Sequence, residues 1–162
     1  MRISDFKIHD TEKLDVLLSK CLELLLKKQK QDNEHWGRVA ACVLDTDNRA
    51  VFGVNYQMPD GTRCHAERAA LDAYQEKYGE VPSGSIILTT LSPCSQDMDE
   101  RWGSSCTELI DDSGIHKVYC GYEDPTQNDS DTYLHKQFHV RETRNPKLRK
   151  LCKSIADTFL ND

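Results

Sequence analysis

Amphipathic helical segments alternate with short β-type runs along this chain, and that alternation limits the possible folds more than any other feature. Residues 11–30, TEKLDVLLSKCLELLLKKQK, place Leu14, Leu17, Leu18, Cys21, Leu22, Leu25 and Leu26 at three- and four-residue spacings, the period of one helix face. Asp10 or Thr11 is the expected cap, and lysines occupy the last turn, where positive charge suits the helix dipole. After the polar QDNEH, the runs RVAACVLD and AVFGVNY flank TDNR as a β-hairpin. Residues 63–78 read as a helix, SGSIILTTL as a third strand and HKVYCGY as a fourth. Between these two strands, Ser105 and Glu108 have the form of a capping box, so a short helix is expected to start at Cys106 and to close at Gly114. A last helix near 146–160 carries Leu148, Leu151, Cys152, Ile155, Phe159 and Leu160 on one side. The order helix, two strands, helix, strand, helix, strand, helix predicts an α/β fold: a single three-layer α/β/α domain with a central mixed sheet flanked by helices. The domain is expected to span 1–162, with its core at about 12–121 and a C-terminal extension, 122–162, that ends in a helix.

Composition narrows the function classes. With 162 residues, 38% of them apolar and 30% charged, the chain has enough material for a sizeable core in an ordinary globular protein. No apolar run approaches the length that crosses a bilayer, and the start MRISDFKIHDTEKL lacks the apolar stretch of a cleaved secretory signal. The cysteines are odd in number and scattered: Cys21, Cys42, Cys64, Cys94, Cys106, Cys120 and Cys152. A disulfide framework shows an even, regular set, so reduced thiols in a cytoplasmic protein are expected. Thiol redox chemistry is disfavoured because no C-x-x-C is present. A net charge of −6 argues against wrapping a long nucleic acid. One local exception runs from Lys136 to Lys153, with Arg141, Arg144, Lys147, Arg149 and Lys150 against a lone Glu142. That segment reads as a solvated helix face or as a patch for a phosphate or another anionic partner.

Against this background one constellation carries chemistry. In GTRCHAERAALDAY, His65 stands at a helix start with Glu67 two residues on. Cys94 follows an inner strand, and Cys106 opens the next helix. Helix N-termini favour thiolates, and a catalytic zinc site needs three soft or borderline ligands with a position left for water. His65, Cys94 and Cys106 at one end of the sheet would leave that water beside Glu67, a carboxylate able to take and return protons. Cys64 is expected to point elsewhere and to be structural. Cys21, Cys42, Cys120 and Cys152 fit apolar core positions, and His116, His135 and His139 fit surface or loop positions.

With His65-Ala66-Glu67 and Pro93-Cys94 in this order, the chain resembles the cytidine-deaminase-like superfamily of zinc deaminases, whose signature is H-x-E followed by P-C-x-x-C. The element order over about 12–121 is similar to that family's core. The chain departs from the signature where Asp97 stands three residues after Cys94, with Cys106 as the next cysteine beyond SQDMDERWGSS. Either Asp97 is a carboxylate ligand or the loop bulges and Cys106 takes the second thiolate place. Cys106 is preferred, because thiolate suits zinc and the capped helix start offers the position. The lengthened loop resembles the pyrimidine deaminases of riboflavin synthesis, as do TLSPCS, the SSC leading to ELI, SGIHKV and EDPTQ. An Asn-Pro usual ahead of the first strand is replaced here by EHWGRVAAC.

The resemblance implies a Zn2+-dependent hydrolase that releases ammonia from an amino-pyrimidine-type base, nucleoside or nucleotide. In that reading Glu67 is the acid and base, and His65, Cys94 and Cys106 hold the metal. Backbone N–H groups near Ala66 and Cys94 would hold a ring carbonyl. Asn55, at the end of GVNYQ, is where similar deaminases face the substrate with an asparagine; alone it reads equally well as a turn residue. Trp102 either stacks on a base or anchors the inserted loop. Small substrates are preferred over nucleic acid, although some relatives deaminate a base within tRNA. A homo-oligomer is expected, since the family often assembles through helices beside the site. The rival from another class is a noncatalytic, zinc-stabilised binding module, in which the acidic loop with Asp97, Asp99 and Glu100 either covers the pocket or occupies the open coordination position.

Overall fold

A computed structural model describes residues 8–31, 38–57, 63–93, 106–125 and 137–160. Helix α1, Ile8–Gln31, begins before the expected cap, so Asp10 and Thr11 fall in its first turns rather than ahead of it. Its buried face is Leu14, Leu17, Leu18, Cys21, Leu22 and Leu25, whereas Leu26 points to solvent. The heptad-like spacing of leucines runs wider than the face the sheet can cover.

Strands β1 (Ala40–Leu44) and β2 (Ala50–Val54) form the expected antiparallel hairpin. Asn48 turns the chain at φ 65, a left-handed conformation to which asparagine is suited. Two short strands then pair with each other, β3 (Tyr56–Gln57) and β4 (Arg63–Cys64). The expected helix over 63–78 therefore starts later, as α2 at Ala66–Tyr78. Strand β5 (Ile86–Leu91), helix α3 (Cys106–Asp112) and strand β6 (Lys117–Tyr122) follow, with Gly114 at φ 87 closing α3 as its sequence signal indicates. An unexpected strand, β7 (His139–Glu142), precedes the last helix, α4 (Pro146–Leu160). Half-buried along its length, HVRE lacks the apolar run that marks an inner strand, and it lies at the sheet edge.

The larger sheet has the order β2-β1-β5-β6-β7. Strand β1 is antiparallel to β2 and β5, while β5, β6 and β7 run parallel, which makes the sheet mixed. Side chains alternate across it. Ala40, Cys42, Leu44, Leu88 and Tyr119 meet α1 and the Leu148, Cys152 and Ala156 face of α4. Ala41, Val43, Ile87 and Val118 meet α2 and Ile110 of α3 on the other side. The result is three layers. Leu151 of α4, expected on the covered side, is instead exposed. Polar ties reinforce the first interface: Asp15 of α1 accepts hydrogen bonds from Tyr119 Oη at 2.6 Å and Thr143 Oγ1 at 2.7 Å.

On the second interface, Gly53 of β2 lets the backbone of α2 lie directly on the sheet. A Cβ there would come within 2.4 Å of the Ala70 amide nitrogen and 2.8 Å of the Ala66 carbonyl oxygen. An isolated glycine within a strand pattern is the sequence sign of such a close approach. This contact sets the position of the helix start that carries the site. No described helix is long and apolar enough to cross a membrane.

Candidate metal centre

Strand β5 leads through residues 94–105 into α3, which returns to the parallel strand β6. The N-terminus of α3 therefore stands at the end of the sheet to which β5 points. The antiparallel neighbour β1 begins at that same end, with Ala41 opposite Thr89. Asn55 is held there too, its amide donating to the Val39 carbonyl at 3.2 Å. Helix α2 starts just beyond the β3–β4 pair.

These connections bring three of the expected site residues together. His65 is the N-cap of α2, in extended backbone conformation, and its side chain makes no capping hydrogen bond. Glu67 lies in the first turn, only 4% exposed. Cys106 is the first residue of α3 and is buried. The donor atoms of His65, Glu67 and Cys106 all lie within 4.8 Å of one another. His65 Nδ1 faces Cys106 Sγ at 3.0 Å, so Nδ1 is the imidazole nitrogen turned to the cluster. The starts of two helices flank the group, and their partial positive charge favours thiolate and carboxylate.

The donor set fits zinc. Imidazole nitrogen and thiolate sulfur are its common protein ligands, and a carboxylate oxygen can serve as a third ligand or stand beside the metal. Three such groups, two of them acids, are gathered in a buried place where a divalent cation is the natural counter-charge. The remaining cysteines contrast with Cys106. The described cysteines form no disulfide and are all buried. Burial pushes the thiols of Cys42 and Cys152 up to about 12 and those of Cys21 and Cys120 well above the ordinary value. Burial, opposed by a hydrogen bond with Tyr56, also raises Cys64 beside His65. Such thiols pack as small apolar groups and are poor ligands or nucleophiles.

Cys94 and Trp102, with Asp97, lie outside the described residues, as does His135. Pro93, immediately before Cys94, is buried at the end of β5. Ala66 is fully buried at the first position of α2. Asn55 is buried, and its Oδ1 accepts hydrogen bonds from the amides of Arg38 at 2.7 Å and Val39 at 3.0 Å. That clamp ties the end of β2 to the chain entering β1, and it orients the side-chain amide. His116 is exposed, and His139 is half-buried in β7, away from loop status. Two residues without a site signal in the sequence also shape this end: Ser92 Oγ accepts the Asp124 amide at 2.8 Å, and Gly53 seats α2.

Comparisons with known proteins agree with this arrangement. The family model of the cytidine and deoxycytidylate deaminase zinc-binding region matches residues 12–122, more than half of the chain. A diaminohydroxyphosphoribosylaminopyrimidine deaminase/5-amino-6-(5-phosphoribosylamino)uracil reductase from Thermotoga maritima is similar at 26% identity and a TM-score of 0.57, over 76% of this chain and 34% of its own. The dCMP deaminase of cyanophage S-TIM5 is 22% identical with a TM-score of 0.56, over 81% of this chain and 97% of its own. RibD of Acinetobacter baumannii superposes over 93% of this chain and 40% of its own, at 16% identity and a TM-score of 0.66. The chain thus spans about a third of the length of the Thermotoga protein. The two likenesses of lower identity speak for the fold alone. Among curated proteins, none matches the sequence.

Proposed function

This chain belongs to the family of cytidine and deoxycytidylate deaminases that share a zinc-binding region, and from that premise we propose that it is a hydrolytic deaminase. Its substrate is an amino-pyrimidine-type ring, carried as a free base, nucleoside or nucleotide, and its products are the oxo ring and ammonia. One observation carries this reading: a buried carboxylate, Glu67, stands within 4.8 Å of an imidazole nitrogen and a thiol sulfur. A purely structural zinc site is closed by four ligands and has no use for a proton carrier beside it.

His65 and Cys106 would hold the zinc, with Cys94 as the further thiolate that leaves one position open. Bound zinc supplies the Lewis acidity that makes water nucleophilic near neutral pH. Glu67 takes one proton from the attacking water as its oxygen bonds to the ring carbon bearing the amine. Glu67 gives that proton to the adjacent ring nitrogen. It then carries the hydroxyl proton to the amine, the carbon–nitrogen bond breaks, and ammonia leaves as the ring carbonyl forms. Ala66, at the helix start, has its N–H directed out of α2 and suited to a ring carbonyl. Asn55 Oδ1 is committed to two backbone amides, so any contact it makes with substrate comes from its Nδ2 donors and reads an acceptor. Trp102 is the candidate to stack on the ring.

The test is ammonia release by zinc-loaded protein across aminated pyrimidine and purine bases, nucleosides and their monophosphates. Turnover of a pyrimidine member that disappears on chelation and returns with zinc is expected. Stoichiometric zinc without turnover of any member would overturn the catalytic reading in favour of a binding module. A tRNA substrate is the less favoured reading. Of the exposed basic residues of α4, Arg149 is paired with Glu142 at 2.5 Å and Lys153 with Asp157 at 2.7 Å, which leaves less positive charge for phosphates. A tRNA gel shift above nonspecific levels at physiological salt would reverse that preference.

A further inference from the structure

Two threonines stand side by side near the end of β5 and face opposite layers. Thr90 Oγ1 accepts the Ala40 amide at 3.1 Å. Thr89 is fully buried, and its Oγ1 is the one buried side-chain polar atom among the described residues with no hydrogen-bond partner. Its partner across the antiparallel pair is Ala41, which shares a core cluster with Ala66 and Ala70 of α2. Ile87, two residues earlier on the same strand, belongs to that cluster as well. By alternation the Thr89 hydroxyl therefore lies between the sheet and the first turns of α2, at the end where His65, Glu67 and Cys106 meet.

A valine would fill the same space, suit a strand better and leave no hydroxyl to desolvate. Val43 and Val118 do so elsewhere on this face. Across the sheet Thr89 is opposite the small Ala41, and Ala41 is opposite Gly53, on which the first turn of α2 lies. The first-turn amides of a helix take partners from outside it, and His65 provides no side-chain cap. A buried hydroxyl and helix-start amides in one layer are the kind of groups that an enclosed water joins.

We propose that Thr89 is a positioning residue: its hydroxyl holds an internal water against the first turn of α2 and so fixes where His65 and Glu67 stand. It touches neither the substrate nor the metal, and it acts through that turn. The inference rests on the zinc reading of His65, Glu67 and Cys106, and its test is read without turnover.

The experiment uses the full chain loaded with zinc, comparing wild type with Thr89→Val and Thr89→Ser. Zinc transfer to a chelator and amide hydrogen exchange at Ala66 and Glu67 are followed. Thr89→Val keeps the shape of the core and is expected to fold, to lose about tenfold in zinc affinity, as outer partners of a metal site do, and to exchange these amides faster. Thr89→Ser keeps the hydroxyl and is expected to stay near wild type. Wild-type values in Thr89→Val overturn the proposal. So does an equal loss in both variants, which would assign the effect to the missing methyl group or to packing. If Thr89→Val fails to fold, Thr89→Ala takes its place, and Thr89→Ser must again separate from it. A wild-type protein that takes up no zinc sinks the metal reading itself, an outcome distinct from zinc uptake that ignores Thr89.

Discussion

The two ends of α2 treat polar groups in opposite ways. Toward its C-terminal half, Tyr74 and Tyr78 close a network on the turn between β1 and β2. The buried Asp45 carboxylate accepts from the Asp47 and Arg49 amides, each at 2.9 Å, from Arg49 Nε at 2.6 Å and from Tyr74 Oη at 2.7 Å. The Arg49 guanidinium lies 4.1 Å over the Tyr78 ring. Opposite charges and complementary donors meet there, and the network is complete within the protein. At the N-terminal end, His65, Glu67 and Cys106 bring three lone-pair donors together. Two of them are acids, and a metal ion takes such groups in their deprotonated form. A network that cancels its own charge holds a fold together, whereas one that concentrates a single kind of donor is built for something that binds.

The sharpest way to break this comparison is to change the acid at the open end. Glu67→Gln keeps shape and burial but cannot carry a proton, so kcat should fall by about a thousandfold while zinc content stays at wild-type level. Full activity in a zinc-loaded Glu67→Gln protein would remove Glu67 from the mechanism. Next in size is the thiol pair. Cys106→Ala should lower zinc affinity by more than the roughly tenfold to hundredfold that outer partners of a metal site cost. Cys64→Ala, beside His65 but packed as an apolar group, should leave zinc content unchanged and cost only about 1 kcal/mol of stability. Equilibrium zinc competition and urea unfolding on both variants separate ligand from filler. Equal zinc loss in the two would show that proximity to His65, rather than identity as a ligand, matters.

How far this contrast was legible in the sequence depends on what each residue answers to. The leucines of α1 and the apolar residues of α4 obey local helical spacing, so both helices are readable. Leu26 and Leu151 are misjudged because a periodic pattern does not say how much of a helix the sheet covers. His65 and Glu67 lie two positions apart at the start of one helical run, and Cys106 falls inside the Ser105–Glu108 capping pattern, so local signals place each of them at a helix start. Strand β7 leaves no apolar trace because it is an edge, and β3 and β4 are too short to show a period. Asn55 stays ambiguous in sequence, since its clamp on Arg38 and Val39 requires the hairpin to bring residues 16 and 17 positions apart together. Tyr74 meeting Asp45 is likewise a tertiary event, 29 positions apart. What could not be read is mostly pairing between distant segments.

Gly53→Ala tests the helix that joins the two ends. A methyl group 2.4 Å from the Ala70 nitrogen must lift α2 from β2, with an expected cost of about 3 kcal/mol. Because the whole helix moves, urea unfolding and zinc affinity should both suffer. A variant that loses stability while holding zinc at wild-type affinity would show that the site is set by α3 and the preceding loops instead.

The smallest effect is confined to the closed end. Burial works against ionisation of Asp45, yet the hydrogen bonds from Tyr74, Arg49 and Asp47 outweigh it and hold its pKa at about 2. An unfolded aspartate titrates near 3.9, so the folded state favours the charged form by about 2 kcal/mol. The sign follows from the depressed value: the stabilisation is complete above pH of about 5, shrinks as pH falls through about 4, and is gone once pH drops below about 2. Asp45→Asn should therefore unfold more easily than wild type by about 2 kcal/mol at neutral pH, and the gap should narrow steadily on acidification. Comparing the two proteins at each pH cancels the protonation of His65, Glu67 and Cys106, which both share. Zinc affinity at neutral pH should be the same in both, since the open end of α2 is untouched. A gap that persists undiminished at the acid end would mean that Asp45 stabilises by packing and neutral hydrogen bonding, and the charge-cancelling account of this end would fail.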